Sequence, residues 1–357
     1  MTAPSPNLPG RLGAPGLLLR DDPRADPRMI AAMLPLGMTG AAPPPPVDAS
    51  GPLDQLLAFA EGVEAGFEAM LTALSADLPA IAGVISTTEV IKGDDGNDIS
   101  LFVHRPVGSD APLPGVLHLH GGGMVIFEAA GTCHTRWRDE LAATGMVVVG
   151  VEFRNGAGRH GPHPFPAGLN DCLSALRWVS ERKADLGVSK LVVSGESGGG
   201  NLSLATALKA KRNGLVRLID GVYAQCPYIS NAYAPPSPAL ASLTENDGYG
   251  LDGVVMGVLA RVYDPTGANA TNPLAWPLHA DAADLKGLPP HVISVNELDP
   301  LRDEGLAYYR KLLAVGVSAI SRTVNGTAHA GDVMYAAALP DVRRATIRDI
   351  KGFADSL

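Results

Sequence analysis

Leu191-Val192-Val193-Ser194-Gly195-Glu196-Ser197-Gly198-Gly199-Gly200-Asn201 is a short apolar run that breaks into Gly-x-Ser-x-Gly and leads into a helix-like segment, Asn201–Arg212. An apolar run of this length bounded by glycine reads as a buried strand. A strand, Gly-x-Ser-x-Gly and a helix in that order make a nucleophile elbow. The turn is so tight that side chains flanking the serine would clash, hence the glycines. It lifts the Ser197 hydroxyl above the sheet and aims the N-terminus of the next helix at it. An incidental serine in a glycine-rich turn is the bland alternative. The strand before it and the helix after it argue against that.

A second glycine motif stands upstream. His120-Gly121-Gly122-Gly123 follows the apolar run Val116–Leu119. Triple glycine after a strand exposes backbone N–H groups that no Cβ shields. Such donors can hold the negative oxygen of a tetrahedral intermediate. Gly122, Gly123 and Gly198 are the candidate oxyanion donors, and His120 reads as an architectural residue of the loop.

Around these motifs, strand and helix patterns alternate. Val84–Lys92 and Asp98–Arg105 flank Gly93-Asp94-Asp95-Gly96-Asn97, a hairpin signal. Met146–Val151, Leu218–Ala224, His291–Val295 and Ala319–Val324 read as further strands, with helices at Leu173–Lys183 and Glu304–Ala314. Continuous apolar strands between helices predict a mostly parallel sheet buried on both faces. With the antiparallel opening, the expected class is α/β, an α/β-hydrolase fold with a central sheet flanked by helices.

Two segments fall outside the alternation. Residues 1–50 are rich in Pro and Gly and end in Pro43–Pro46, which predicts an arm or linker, extended where proline dominates. From Leu53 to Leu74 the apolar residues Leu53, Leu56, Leu57, Ala60, Val63, Phe67, Met70, Leu71 and Leu74 recur at helical spacing. Tyr228 to Pro277 carries Pro235, Pro236 and Pro238 and a weakly helical stretch, Leu251–Tyr263. Insertions after a strand's C-terminal end lie over the active face of such sheets. The expected division is residues 1–80 as arm and cap helix, and 81–357 as a catalytic domain with a cap insertion at about 228–277.

A serine hydroxyl needs a base and a group that orients the base. On this fold they follow the serine as Asp or Glu, then His. His291 and His329 lie well beyond the middle insertion. His291 starts an apolar strand and reads as structural. His329 sits in the small-residue loop Asn325–Gly331 after the last strand, where a base can reach back to Ser197. The acid is Asp299 or Asp303. Asp299 follows the strand His291–Val295, where catalytic groups collect. Asp303 starts a helix and suits the helix dipole. Asp299 is therefore taken as the catalytic acid, Asp303 as a cap or support, and Glu196 as a buried structural carboxylate.

The bulk numbers exclude several classes. The chain has 357 residues and a formal net charge of −9, with no basic run, so nucleic acid is not expected as a partner. The early apolar stretch Gly16–Leu19 is too short for a signal peptide core, and nothing approaches the ~20 apolar residues of a membrane span. Cys133, Cys172 and Cys226 are widely spaced and read as reduced thiols, so a cytoplasmic location is expected. His118-Leu119-His120 and His160-Gly161-Pro162-His163 have tempting metal-ligand spacing. His120, however, is accounted for by the glycine motif. The second pair sits in a Pro/Gly loop with no acidic ligand expected nearby. No metal site and no cofactor are expected.

His120–Gly123, Gly195–Gly199 and Asp299–Glu304 together resemble the hormone-sensitive lipase-like family of bacterial carboxylesterases. The similarity extends to Asp21–Arg24, Glu152–Asn155, His163–Pro166, Asn246–Tyr249 and Ser294–Gly305. It implies an α/β-hydrolase domain with a helical cap, no cofactor, and a triad on Ser197, Asp299 and His329 with Gly122, Gly123 and Gly198 as oxyanion donors. Two departures bear on substrate range. Glu196 and Gly198 stand where Asp and Ala are usual, and Glu152–Gly158 replaces the usual Asp-Tyr-Arg-Leu-Ala-Pro-Glu run. The leading expectation is hydrolysis of short-chain or small-molecule carboxylic esters, lactones included, through an acyl-enzyme. An amidase or acyltransferase on the same triad, and a non-catalytic small-molecule receptor, are the alternatives. Ala319–Val324 is a candidate edge for pairing two copies into a homodimer.

Overall fold

The computed structural model describes residues 8–41, 43–109 and 111–357. Asp98 to Pro106 (β2) folds back on Val84–Lys92 (β1) in register from Val84–Pro106 to Lys92–Asp98, as the hairpin signal predicts. Six further strands follow: Leu113–Leu119 (β3), Val147–Val151 (β4), Val188–Glu196 (β5), Gly221–Gln225 (β6), His291–Asn296 (β7) and Ala319–Val324 (β8). The eight-stranded sheet has the order β1-β2-β4-β3-β5-β6-β7-β8. Its first two pairings, β1–β2 and β2–β4, are antiparallel, and all others are parallel.

Period-two alternation sends the strand side chains into two cores. Leu117, Val149 and Val193 face one side, against Leu173 and Leu176 of helix Ala167–Glu181 and Leu204 and Leu208 of helix Gly198–Arg212. Val116, Val148 and Val192 face the other, against Trp137 and Leu141 of helix Thr132–Ala142 and Ile347 and Ile350 of helix Pro340–Ser356. Because both faces are covered, the central strands carry no polar alternation, which is why they read as continuous apolar runs.

The topology places the site. From β3 the chain steps outward to β4, then crosses back over β3 to β5. The carboxyl ends of β3 and β5 flank the reversal, where open α/β sheets leave a crevice. The His-Gly-Gly-Gly loop leaves β3 and the elbow leaves β5 at that point.

The arm is not an extended linker. Pro27–Met33 is a helix with Pro27 in its first turn, capped by the Asp26 side chain, which accepts the Arg28 N–H. Leu19, Met29 and Met33 are buried with Tyr249, Leu298, Ala328 and Tyr335. Arg24 bridges Asp22 and Glu245, and Asp26 N–H donates to Gly326 O. The Pro/Gly composition predicted a tether because the arm's few apolar residues have no local period. Their partners lie more than 200 residues away. The part of the linker expectation that falls on residues 1–7 and 42 lies outside the described residues.

Leu53–Ser75 (α1) is the helix its periodicity predicts, and it packs on Gly253–Tyr263 (α2) from the middle stretch. Among the described residues no helix is long and apolar enough to cross a membrane.

Candidate active site

Ser197 has φ 56°, a left-handed conformation costly for a residue with a Cβ. Its neighbours are glycine for a second reason besides the turn. A Cβ on Gly198 would stand 2.5 Å from Met124 N and 2.6 Å from Gly123 N. One on Gly195 or Gly199 would overlap Leu119 O. The elbow and the glycine loop therefore touch backbone to backbone. Gly198 opens helix Gly198–Arg212, whose first-turn N–H groups have no helical acceptor. No backbone acceptor within the described fold takes the N–H of Gly122 or Gly123.

Glu196 ties the two loops together. It is fully buried, and its Oε1 accepts the Gly121 N–H at 2.8 Å. His118 Nε2 lies 3.1 Å from Oε2, and His134 Nε2 lies 3.5 Å from Oε1. Burial alone would raise the Glu196 carboxyl, but these partners hold it below the usual carboxylate range. Burial drives His134 down to about 4. The expected buried structural carboxylate thus has a specific task, anchoring the glycine loop. His120 donates from Nδ1 to Gly121 O at 2.8 Å and stacks on Phe153, an architectural role as expected.

The structure brings Asp299 and His329 together and separates the rivals. Asp299 is buried; its Oδ2 lies 2.8 Å from His329 Nδ1, and its Oδ1 accepts the Leu301 N–H at 2.9 Å. Burial works against charge on His329, but the Asp299 carboxylate holds its pKa well above the ordinary imidazole value. Asp303 points elsewhere: its Oδ2 accepts Ser242 N–H and its Oδ1 meets Arg302 Nε. It braces a neighbouring segment, and its side chain does not cap its own helix. His291 donates Nδ1–H to Pro289 O, and burial lowers it to about 4.

Ser197, Gly122, Gly123 and His329 line one cavity of about 100 Å³. No hydrogen bond joins the Ser197 hydroxyl to the imidazole, a contact that often tightens only around bound substrate. The walls are apolar: Val63, Phe67 and Leu71 from α1, Val255 and Leu259 from α2, and Ile126 from the glycine loop.

Three residues near the site escaped the sequence reading. Glu64 is buried on α1; Oε1 accepts Phe127 N–H at 2.7 Å and Oε2 accepts Arg159 N–H at 3.1 Å. Its sequence signal was an acid at the centre of the apolar stripe Ala60–Val63–Phe67–Leu71. Glu304, raised to about 8 by burial, accepts from Ile229 N–H, Ser230 Oγ and Tyr233 OH and fixes the segment after β6. Cys226, at the end of β6 with φ 34°, places its sulfur within 4.8 Å of ligand atoms of both Asp299 and His329. All three cysteines are free and buried, and burial pushes the Cys226 thiol up. Nothing in the sequence pairs Cys226 with a histidine 103 positions on.

The fold and site define a class. Residues 116–332 match the family model of the alpha/beta hydrolase fold, and the chain belongs to the hormone-sensitive lipase-like branch of that family. It is similar to brefeldin A esterase, described as a bacterial homologue of human hormone sensitive lipase, at 47% identity, TM-score 0.95, over 97% of this chain and 98% of that one. It is similar to the esterase Est22 at 36% identity, TM-score 0.83, over 94% and 99%. Carboxylesterase NlhH of Mycobacterium tuberculosis is 35% identical over 271 residues, 74% of this chain and 81% of its own. The protein is a carboxylic ester hydrolase.

Proposed function

We propose that this carboxylesterase works through Ser197, His329 and Asp299 and an acyl-enzyme. The observation that carries the reading is the His329 Nδ1–Asp299 Oδ2 contact of 2.8 Å beside a cavity shared with Ser197. With Nδ1–H held by the carboxylate, Nε2 is the basic nitrogen. It takes the Ser197 proton as Oγ attacks the ester carbonyl. The carbonyl oxygen becomes an oxyanion held by the N–H groups of Gly122, Gly123 and Gly198. Collapse expels the alcohol, protonated by His329, and leaves the acyl group on Ser197. Water, deprotonated by the same nitrogen, then releases the acid and restores the serine.

The cavity sets the substrate range. Helices α1 and α2 act as a cap over Ser197, giving a catalytic domain from residue 81 onward roofed by segments from both sides of it. A small, apolar chamber favours short acyl groups, acetyl to about hexanoyl, and small esters or lactones without charge near the carbonyl.

A fluorophosphonate probe tests the mechanism. Stoichiometric labelling, lost in a folded Ser197→Ala protein together with several orders of magnitude of p-nitrophenyl acetate turnover, is the expected result. Near-normal turnover in that variant overturns it. Matched amide substrates and added alcohol acceptors then separate hydrolysis of esters from amidase and acyl-transfer activity.

A further inference from the structure

The expectation that the His160/His163 pair has no acidic ligand nearby does not hold for His160: the fold brings it two carboxylates. Glu128, just past the glycine loop, and Glu152, just past β4, converge on His160 in the turn Gly158–His160. His160 Nε2 lies 3.7 Å from Glu128 Oε2 and 3.6 Å from Glu152 Oε1. We propose that Glu128, Glu152 and His160 bind a divalent transition-metal ion of the Zn²⁺ class, which clamps the outer end of the oxyanion loop to the end of β4.

The separations are those of ligands, not of hydrogen-bonded partners. They exceed the ~2.7–3.2 Å of an N–H···O bond. Tetrahedral arms of 2.0–2.1 Å put ligand atoms about 3.4 Å apart, so the two His160–carboxylate separations need a shift of only a few tenths of an ångström, and the three donor atoms lie within 4.8 Å of one another. His160 Nε2 is buried and has no hydrogen-bond partner.

A second observation comes from a residue outside this triplet. His120 is fully buried, and its Nε2 also lacks a partner while standing 3.9 Å from Glu152 Oε1. Its Nδ1 faces the Gly121 carbonyl, which only accepts, so Nδ1 carries the hydrogen. With one hydrogen on the ring, Nε2 is the bare nitrogen. Nε2 therefore turns a lone pair toward a carboxylate oxygen. Two acceptors facing each other inside a protein want a positive charge between or beside them.

The outer contacts suit a ligand set. Glu152 Oε1 accepts Ala129 N–H at 2.8 Å and Oε2 accepts Ala130 N–H at 3.2 Å, and Arg159 holds Glu128 Oε1 at 2.6 Å. These bonds orient both carboxylates and leave Glu128 Oε2 turned to His160. A surface cleft lined by Glu128 and Arg159 provides entry. Two carboxylates and an imidazole favour Zn²⁺ or Mn²⁺ over soft cations. None of the three ligands lines the catalytic cavity, so the role is to position the loop.

The test uses the full chain, tag-free and stripped by chelator. Calorimetric titration with ZnCl₂ and melting curves are run on wild type, His160→Ala, Glu128→Gln and Cys226→Ser. The last variant controls for zinc held at Cys226, Asp299 and His329, whose donor atoms also lie within 4.8 Å of one another. The expected result is one zinc per chain outside the catalytic cavity, retained in Cys226→Ser and lost in His160→Ala. Saturating zinc should raise wild-type Tm by about 3–4 °C. If His160→Ala lowers the metal-free melt, Glu128→Gln is decisive, since it changes a single atom. Heat and Tm shift unchanged in both ligand variants, zinc binding lost only in Cys226→Ser, or no binding up to about 1 mM each overturns the proposal.

Discussion

Replacing Asp299 with Asn should remove nearly all turnover, and the structure dictates why an isosteric change is so severe. Asp299 Oδ1 accepts the Leu301 N–H at 2.9 Å, and Oδ2 meets His329 Nδ1 at 2.8 Å. An introduced amide must keep its oxygen toward the Leu301 N–H, which leaves its NH₂ facing Nδ1. Nδ1 must then accept, so the hydrogen moves to Nε2 and the proposed base for Ser197 is lost. The same tautomer fault costs about 10⁴ in kcat in another Ser-His-Asp enzyme, or about 5.4 kcal/mol at 1.36 kcal/mol per factor of ten. Asp303→Asn loses a half-buried contact to Arg302 and part of an acceptor for Ser242 N–H. It should cost about 1 kcal/mol of stability and less than about threefold in kcat. The pH profile carries a second signature. With His329 as the proposed base, turnover requires its neutral form, whose pKa the carboxylate raises, so wild-type activity should climb with pH through a midpoint above the ordinary imidazole value. Removing the anion destabilises the imidazolium, and the residual activity of Asp299→Asn should reach half-maximum at lower pH. The assay is p-nitrophenyl acetate hydrolysis from pH 5 to 9, about the span over which histidine titrates, with melting curves for each protein. Asp299→Asn within about tenfold of wild type at matched Tm, or Asp303→Asn as the slower enzyme, would refute the reasoning.

Three other substitutions probe the walls of the site. Gly198→Ala places a methyl 2.5 Å from Met124 N and 2.6 Å from Gly123 N; by displacing the proposed oxyanion donors it should lower kcat about 10²–10³-fold with KM little changed, and near-normal kcat would show that these donors do not hold the transition state. Glu64→Ala strands the Phe127 and Arg159 N–H groups and should cost about 2–4 kcal/mol in urea unfolding, whereas a loss below about 0.5 kcal/mol would mean that water replaces the carboxylate without penalty. Phe67 stands between the inner cavity and an outer apolar groove lined by Leu36, Met38 and Met70. Phe67→Ala should join the two and raise octanoyl over acetyl preference at least about tenfold, and an unchanged chain-length profile would remove α1 from the acyl wall.

The sequence by itself determined whatever a local rule enforces. The strand, tight turn and helix around Ser197 are legible because glycine is needed within a few residues of the serine. The strands are legible because burial on both faces makes apolar runs, and α1 because its stripe has a helical period. Chain order then made His329 the expected base, and position at a strand end favoured Asp299 over Asp303 as the expected acid. What only the tertiary structure decided lies across long sequence separations. Glu196 reaches Gly121 over 75 residues, Glu64 reaches Phe127 over 63, and Arg24 reaches Glu245 over 221. The arm's Met29 and Met33 look like residues of a tether until Tyr249 and Tyr335 cover them. His160 looks isolated in a Pro/Gly loop until the crossover from β4 sets Glu152 beside it. A buried carboxylate or imidazole finds its partner through the packing of distant elements, and no periodicity in the chain encodes which partner that will be.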